Sequence, residues 1–149
     1  AIAQTSLRHS RNFTIEIFAS MWYNVGESEV HIMSDSKLRS QSMDFAVQII
    51  NLVKSLKENR ESIISNQIGR SGTSIGANIR EAQYAHGKAD FIAKLQIALK
   101  EANETGYWLE LLYKTNYITE SEYKALDSAC TSIRVMLISS INTAKENAK

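Results

Sequence analysis

From Ser40 onward apolar residues recur at intervals of three and four, the period of a helix buried on one side. Phe45, Ile49, Leu52 and Leu56 predict a first helix over 42–57. Ser42 is placed to cap its first turn, and Lys54 and Lys57 suit its negative end. Ile64, Ile68, Ile75, Ile79 and Ala82 carry a second helix from Glu61 to Ala85, with His86-Gly87 as a stop signal. A third helix runs from Lys88 to Thr115. Its heptad-like seam is Phe91, Leu95, Ala98, Ala102, Thr105, Leu109 and Leu112, and Asn116 breaks it. Thr119, with Glu122 three residues on, forms a capping box for a fourth helix. That helix presents Leu126, Cys130, Ile133, Leu137, Ile141 and Ala144. Four amphipathic helices on short connections predict an all-α, antiparallel up-down four-helix bundle.

The beginning of the chain does not share this pattern. Phe13, Ile15 and Ile17 alternate with polar neighbours as in a short strand, yet no second strand follows to pair with it. The expectation is a peripheral N-terminal extension over residues 1–36, poorly ordered or non-native, ahead of a bundle over 37–149. Met33 is the candidate natural start.

Composition narrows the class. The 149 residues suit one domain, and 44% hydrophobic with 22% charged residues is ordinary globular usage. Proline is absent, so no position lacks the backbone donor that a long helix needs. The formal charge of +1 creates no global field toward nucleic acid or anionic lipid, so such binding requires basic residues gathered on one face. Cys130 is the only cysteine, which excludes an internal disulfide and a multi-cysteine metal site and suits a reducing cytosol. No apolar run reaches the roughly 18 to 20 residues of a membrane span. Asn12, Thr14, Glu16 and Ser20 interrupt the one stretch that could imitate a signal peptide. A cytoplasmic protein with no membrane partner is expected.

The segment from Gly69 to Ala82 raises the question of chemistry. Gly69, Gly72 and Gly76 each cost a helix interior roughly 1 kcal/mol relative to alanine, so something should compensate. Gly72 and Gly76 lie one turn apart, which allows another backbone to approach closely. A phosphate-binding turn is the sharper alternative, but no Gly-Lys-Ser/Thr follows the glycines. Beside the isoleucine stripe, Arg70, Ser74, Asn78 and Glu81 share a second face. The third helix has a counterpart in Lys94, Ile97, Glu101, Glu104, Trp108 and Leu111. Glu101 and Glu104 stand among apolar residues, where carboxylates need partners. Arg70, Asn78 or a neighbouring subunit's cation is expected to supply them, in a structural polar network or an assembly seam.

Catalysis finds little support. A di-metal carboxylate site would use Glu-x-x-His, and none of His9, His31 and His86 follows a glutamate by three. Cys130 lies on an apolar seam and reads as core, not nucleophile. No catalytic residue, metal, cofactor or small-molecule substrate is expected. For nucleic acid, Arg70, Arg80, Lys88, Lys94, Lys100 and Lys114 are the candidate contacts, interleaved with Tyr84, Tyr107, Trp108 and Tyr113. A positive patch must come from segregation of charge in the folded assembly.

The run from Arg70 through Ser74, Asn78 and Glu81 to Ala82, followed by Asp90-Phe91, Leu95, Ile97-Ala98, Lys100-Glu101-Ala102 and Glu104-Thr105, resembles the four-helix-bundle proteins encoded by intervening sequences of large-subunit (23S) ribosomal RNA genes. Related bundles include the accessory variability determinants of diversity-generating retroelements. The resemblance covers about Leu38 to Lys145, and Ser-Ile-x-x-Asn-Ile-x-Glu is its most telling part. It implies a non-enzymatic bundle assembling as a homopentamer. In the retroelement relatives it implies binding of nucleic acid and a reverse transcriptase through a basic surface. Arg70, Ser74, Asn78, Glu81, Glu101 and Glu104 are the matching motif positions, with an implied structural role. The near-neutral charge departs from the strongly basic character of the nucleic-acid-binding relatives. Two readings of function stand: an RNA- or DNA-binding oligomeric adaptor, and an assembly module with no nucleic-acid partner.

Overall fold

The apolar stripes close around a single core in a computed structural model that describes residues 37–146. The first described helix, α1, occupies residues 37–58. It is followed by α2 (Ile63–Ala82), α3 (Lys88–Lys114) and α4 (Glu120–Glu146). There is no strand among the described residues. The strand pattern of Phe13, Ile15 and Ile17 lies outside them.

Side-chain pairing fixes the directions. Ser42, Ile49 and Val53 of α1 face Gly76, Gly72 and Gly69 of α2 in reversed order. Arg70 meets Glu104 and Glu81 meets Lys94 across α2 and α3. Cys130 reaches Ala102, and Tyr123 stacks on Tyr113, across α3 and α4. Ser132 of α4 hydrogen-bonds Gln41 of α1 at 3.3 Å and closes the ring. Each helix runs against its sequence neighbour, which makes an antiparallel up-down bundle. Leu95, Ala98, Ala102, Thr105, Leu109 and Leu112 are all buried along α3. Burying one leucine-sized side chain contributes about 1.5–3 kcal/mol, so this seam supplies much of what holds the helices together.

The helix ends show where the local chemistry departs from expectation. Ser42 is not a cap: it lies inside α1, buried, and its hydroxyl donates to the Arg39 carbonyl at 2.9 Å. The apolar stripe begins a turn earlier, at buried Leu38, and tertiary packing overrides the capping preference of serine. Helix α2 ends at Ala82, not Ala85. Gln83, Tyr84 and Ala85 donate to carbonyls three residues back, a tightened turn that satisfies the last acceptors without continuing the helix.

Both remaining corners are Schellman motifs. Arg60 and Asn116 adopt left-handed φ values of 61° and 62°. Glu61 N donates to Leu56 O at 2.9 Å and Arg60 N to Lys57 O at 3.0 Å, and Tyr117 and Asn116 repeat the pattern on Leu112 and Tyr113.

The two helix starts use carboxylates. At α4, Thr119 N and Oγ1 both donate to Glu122 Oε2 at 2.7 Å, and Glu122 N returns a bond to Thr119 Oγ1 at 3.3 Å. This is the expected capping box, and these bonds hold the Glu122 carboxyl below the usual carboxylate range. At α2 the carboxylate of Glu61 accepts from the backbone N–H groups of Ile63, Ile64 and Ser65 at 2.7–2.9 Å. Glu61 is only 6% exposed.

Helices α1 and α2 touch through the glycines. A Cβ on Gly72 would lie 2.9 Å from two carbons of Ile49, and one on Gly69 would lie 3.2 Å from Val53. A Cβ on Gly76 would find Ser42 at an ordinary 3.5 Å. The close approach therefore centres on Gly72, and the buried face it creates offsets the helix cost of that glycine.

Candidate functional site

The residues singled out on α2 and α3 line one groove, because each lies one position off its helix's core stripe on the side facing the other helix. Arg70 Nη2 donates to Glu104 Oε1 at 2.5 Å, and Trp108 Nε1 donates to the same oxygen at 3.3 Å. Arg70 Nη1 stands 3.9 Å from Glu101 Oε2. Nearer the bundle's end, Lys94 Nζ donates to Glu81 Oε2 at 2.6 Å, and that bond raises the lysine's pKa. Ser74 and Asn78 share the face without joining the pairs. The Ser74 hydroxyl donates to Arg70 O at 2.7 Å and the Asn78 amide to Ser74 O at 2.8 Å, both along their own helix. Arg70 and Glu81 are exposed, so solvent screens both pairs and each adds little to stability.

Beneath the groove the hydroxyls of Ser71 and Thr105 hydrogen-bond across α2 and α3 at 2.9 Å, fully buried. Thr105 also donates to the Glu101 carbonyl at 2.8 Å. The sequence pattern places Thr105 on the seam but passes over Ser71. Its spacing of three from Ile68 and four to Ile75 is the signal that puts it on the buried face. The side chain of Glu101 is 15% exposed.

The candidate nucleic-acid contacts divide in two. Arg70, Lys94 and Lys114 are held by Glu104, Glu81 and Glu110. Arg80, Lys88 and Lys100 are exposed, and no described carboxylate pairs with them. Arg80 and Lys88 flank Tyr84, which is 85% exposed at the turn between α2 and α3.

Among the described residues no group of three or more His, Cys, Asp or Glu is placed to hold a metal ion, and no helix is long and apolar enough to cross a membrane. Cys130 is fully buried, its thiol donates to Ala102 O at 3.3 Å, and burial pushes it up to about 11. About one thiol in a thousand is then ionised at pH 8. Native protein should consume a thiol reagent at that pH only as fast as it unfolds, with full reaction in denaturant. Rapid labelling of folded protein would show the thiol to be accessible. The stability this buried thiol contributes is complete below the pKa of the unfolded thiol and is lost as pH rises through about 11.

Residues 34–139 match the sequence model of the 23S rRNA-intervening sequence protein family. A crystal structure of a protein of unknown function from the S23 ribosomal protein family of Bacteroides thetaiotaomicron VPI-5482 is similar to the chain at 55% identity. The match covers 73% of this chain and 98% of that one, with a TM-score of 0.72. No curated protein matches.

Proposed function

The chain belongs to the 23S rRNA-intervening sequence protein family, and on that footing we propose that it is a non-enzymatic homo-oligomeric bundle that binds RNA or DNA as an adaptor. The observation that carries the nucleic-acid part is the α2–α3 corner, where exposed Tyr84 is flanked in sequence by exposed Arg80 and Lys88. An exposed aromatic ring gives a base a stacking platform, and adjacent unpaired cations meet phosphates. The corner of one subunit offers too few cations for tight binding. Repetition of the corner in an oligomer strengthens binding through effective concentration. The homopentamer and the kinship with retroelement accessory proteins implied by the resemblance fit this requirement. Arg70, Lys94 and Lys114 are engaged by carboxylates and contribute less.

Binding of a fluorescent single-stranded RNA at rising salt tests the reading. Affinity should fall steeply with salt through counterion release. The double substitution Arg80→Ala, Lys88→Ala should reduce the salt slope by about one for each phosphate that is no longer neutralised. Tyr84→Ala should weaken binding by about 1–3 kcal/mol for a stacked base. Binding that ignores salt, or that survives all three substitutions, would contradict it.

A second reading, assembly without nucleic acid, is favoured by a different surface. Met43, Val47 and Ile50 form an exposed apolar stripe on α1, and Val135 and Ile138 are exposed on α4. These side chains suit a protein contact and offer nothing to phosphate.

A further inference from the structure

Ten large apolar side chains are exposed among the described residues, and three of them, Met43, Val47 and Ile50, stand on one line along α1. Their spacing of four and three keeps them on one face, turned away from buried Phe45, Ile49 and Leu56. A run of exposed apolar side chains on a helix face marks a contact surface. The same line carries cations at both ends. Arg39 lies one turn before Met43, and Lys54 and Lys57 lie one and two turns after Ile50. All three are exposed, and no described carboxylate pairs with them. The acidic residues of the helix stand apart: Asp44 lies about 100° round from Met43, and Glu58 follows Lys57 at the helix end. From Arg39 to Lys54 the line extends about 22 Å at the rise of an α-helix.

We propose that this face of α1 docks an amphipathic helix of another protein, one with an apolar seam and acidic residues at both ends. The inference rests on the reading of the α1 stripe as a protein contact and names the partner's chemistry. Apolar residues at i, i+4 and i+7 are the pattern that a second helix meets with a seam of its own. Carboxylates about four turns apart on that helix meet Arg39 at one end and Lys54 and Lys57 at the other. Charge excludes a second copy packed by the same face. Two such copies would set Arg39, Lys54 and Lys57 of one against the same cations of the other, whichever way the helices ran. A lipid surface is a poorer match, because membrane-surface helices carry aromatic residues or leucine on the apolar face and this stripe has neither. Nucleic acid would find cations only at the two ends, with three apolar side chains between them that offer nothing to phosphate.

Fluorescence anisotropy on the full chain tests the proposal with two synthetic helical peptides that share a leucine seam. One carries glutamates at both ends and the other carries lysines there. The glutamate-ended peptide should bind on the order of tenfold more tightly, because like charges brought together oppose docking. Val47→Glu places a charge in the middle of the stripe and should weaken that binding by a similar factor. The position is exposed, so the fold should survive, with circular dichroism as the control. Met43→Ser should report a loss in the same direction if the first variant unfolds. The double reversal Lys54→Glu, Lys57→Glu should shift the preference toward the lysine-ended peptide. Equal binding of the two peptides, weakened alike by Val47→Glu, overturns the acidic partner and leaves the protein contact standing. Binding of neither peptide, or binding untouched by the stripe variants, overturns both. Phosphatidylglycerol vesicles that bind the unmodified protein but not Val47→Glu, where neither peptide binds, would make the face a membrane contact and overturn the proposal.

Discussion

Replacing Gly72 by valine is expected to destabilise the bundle by about 3 kcal/mol, lowering its melting temperature by roughly 10 °C. Even a single Cβ at this position would come within 2.9 Å of Cγ1 and Cγ2 of Ile49 and 3.3 Å of its Cβ. Ile49 is fully buried, and its Cβ lies beside its own backbone, so the clash moves the whole of α1 and not a flexible side-chain end. The comparison with Gly76 makes the prediction specific. At Gly76 a Cβ meets Ser42 at 3.5 Å, an ordinary contact. Gly76→Ala should therefore keep most of the roughly 1 kcal/mol by which alanine favours a helix interior. Thermal melts of the two alanine variants should move in opposite directions, Gly72→Ala down and Gly76→Ala up. A Gly72→Val variant that melts with the unmodified protein would mean that α1 and α2 do not touch there.

Glu61→Ala is the second large loss, expected at about 2–3 kcal/mol. One carboxylate satisfies three N–H groups of the first turn of α2, and Ser65 lies fully buried among them. Losing a helix cap typically costs about 1 kcal/mol. Leaving a buried donor unpaired adds about 1–3 kcal/mol. No nearby side chain replaces the lost acceptor, since Ser62 makes no capping bond. Glu61→Gln retains one carbonyl acceptor and should lose less. Denaturant unfolding separates the three proteins: the order of stability should be glutamate, glutamine, alanine. Equal stability of the alanine variant would show that water reaches these amides.

The fold is legible in the sequence because its strongest signals are periodic. The seven-residue rhythm from Leu95 to Leu112 specifies a buried stripe whatever its neighbours do, and Thr119 with Glu122 announces a helix start by its own chemistry. The features that mislead depend on partners distant in sequence. Ser42 looks like a cap until Leu38, a turn earlier, is seen to be buried against the rest of the bundle. Glu61 reads as the first residue of a helix, whereas its carboxylate turns back on three amides from just outside it. At the groove the shared face of Arg70, Glu101 and Glu104 follows from spacing, but which carboxylate Arg70 takes does not. The Ser71–Thr105 bond is hidden too, because a small hydroxyl residue carries the same pattern exposed or buried.

These features divide the surface of the bundle by charge. Arg70, Lys94 and Lys114 are paired within the chain, whereas Arg80 and Lys88 have no described carboxylate partner and Tyr84 is exposed. On the proposed reading an oligomer would repeat the Tyr84 corner and strengthen its hold on nucleic acid. The most direct test is light scattering of the full chain at low and high salt, with and without an RNA oligonucleotide. A particle of several 16.7 kDa copies that gains mass with RNA at low salt, and releases it at high salt, is the predicted result. A single-copy mass unchanged by RNA at any salt would contradict both the assembly and the adaptor.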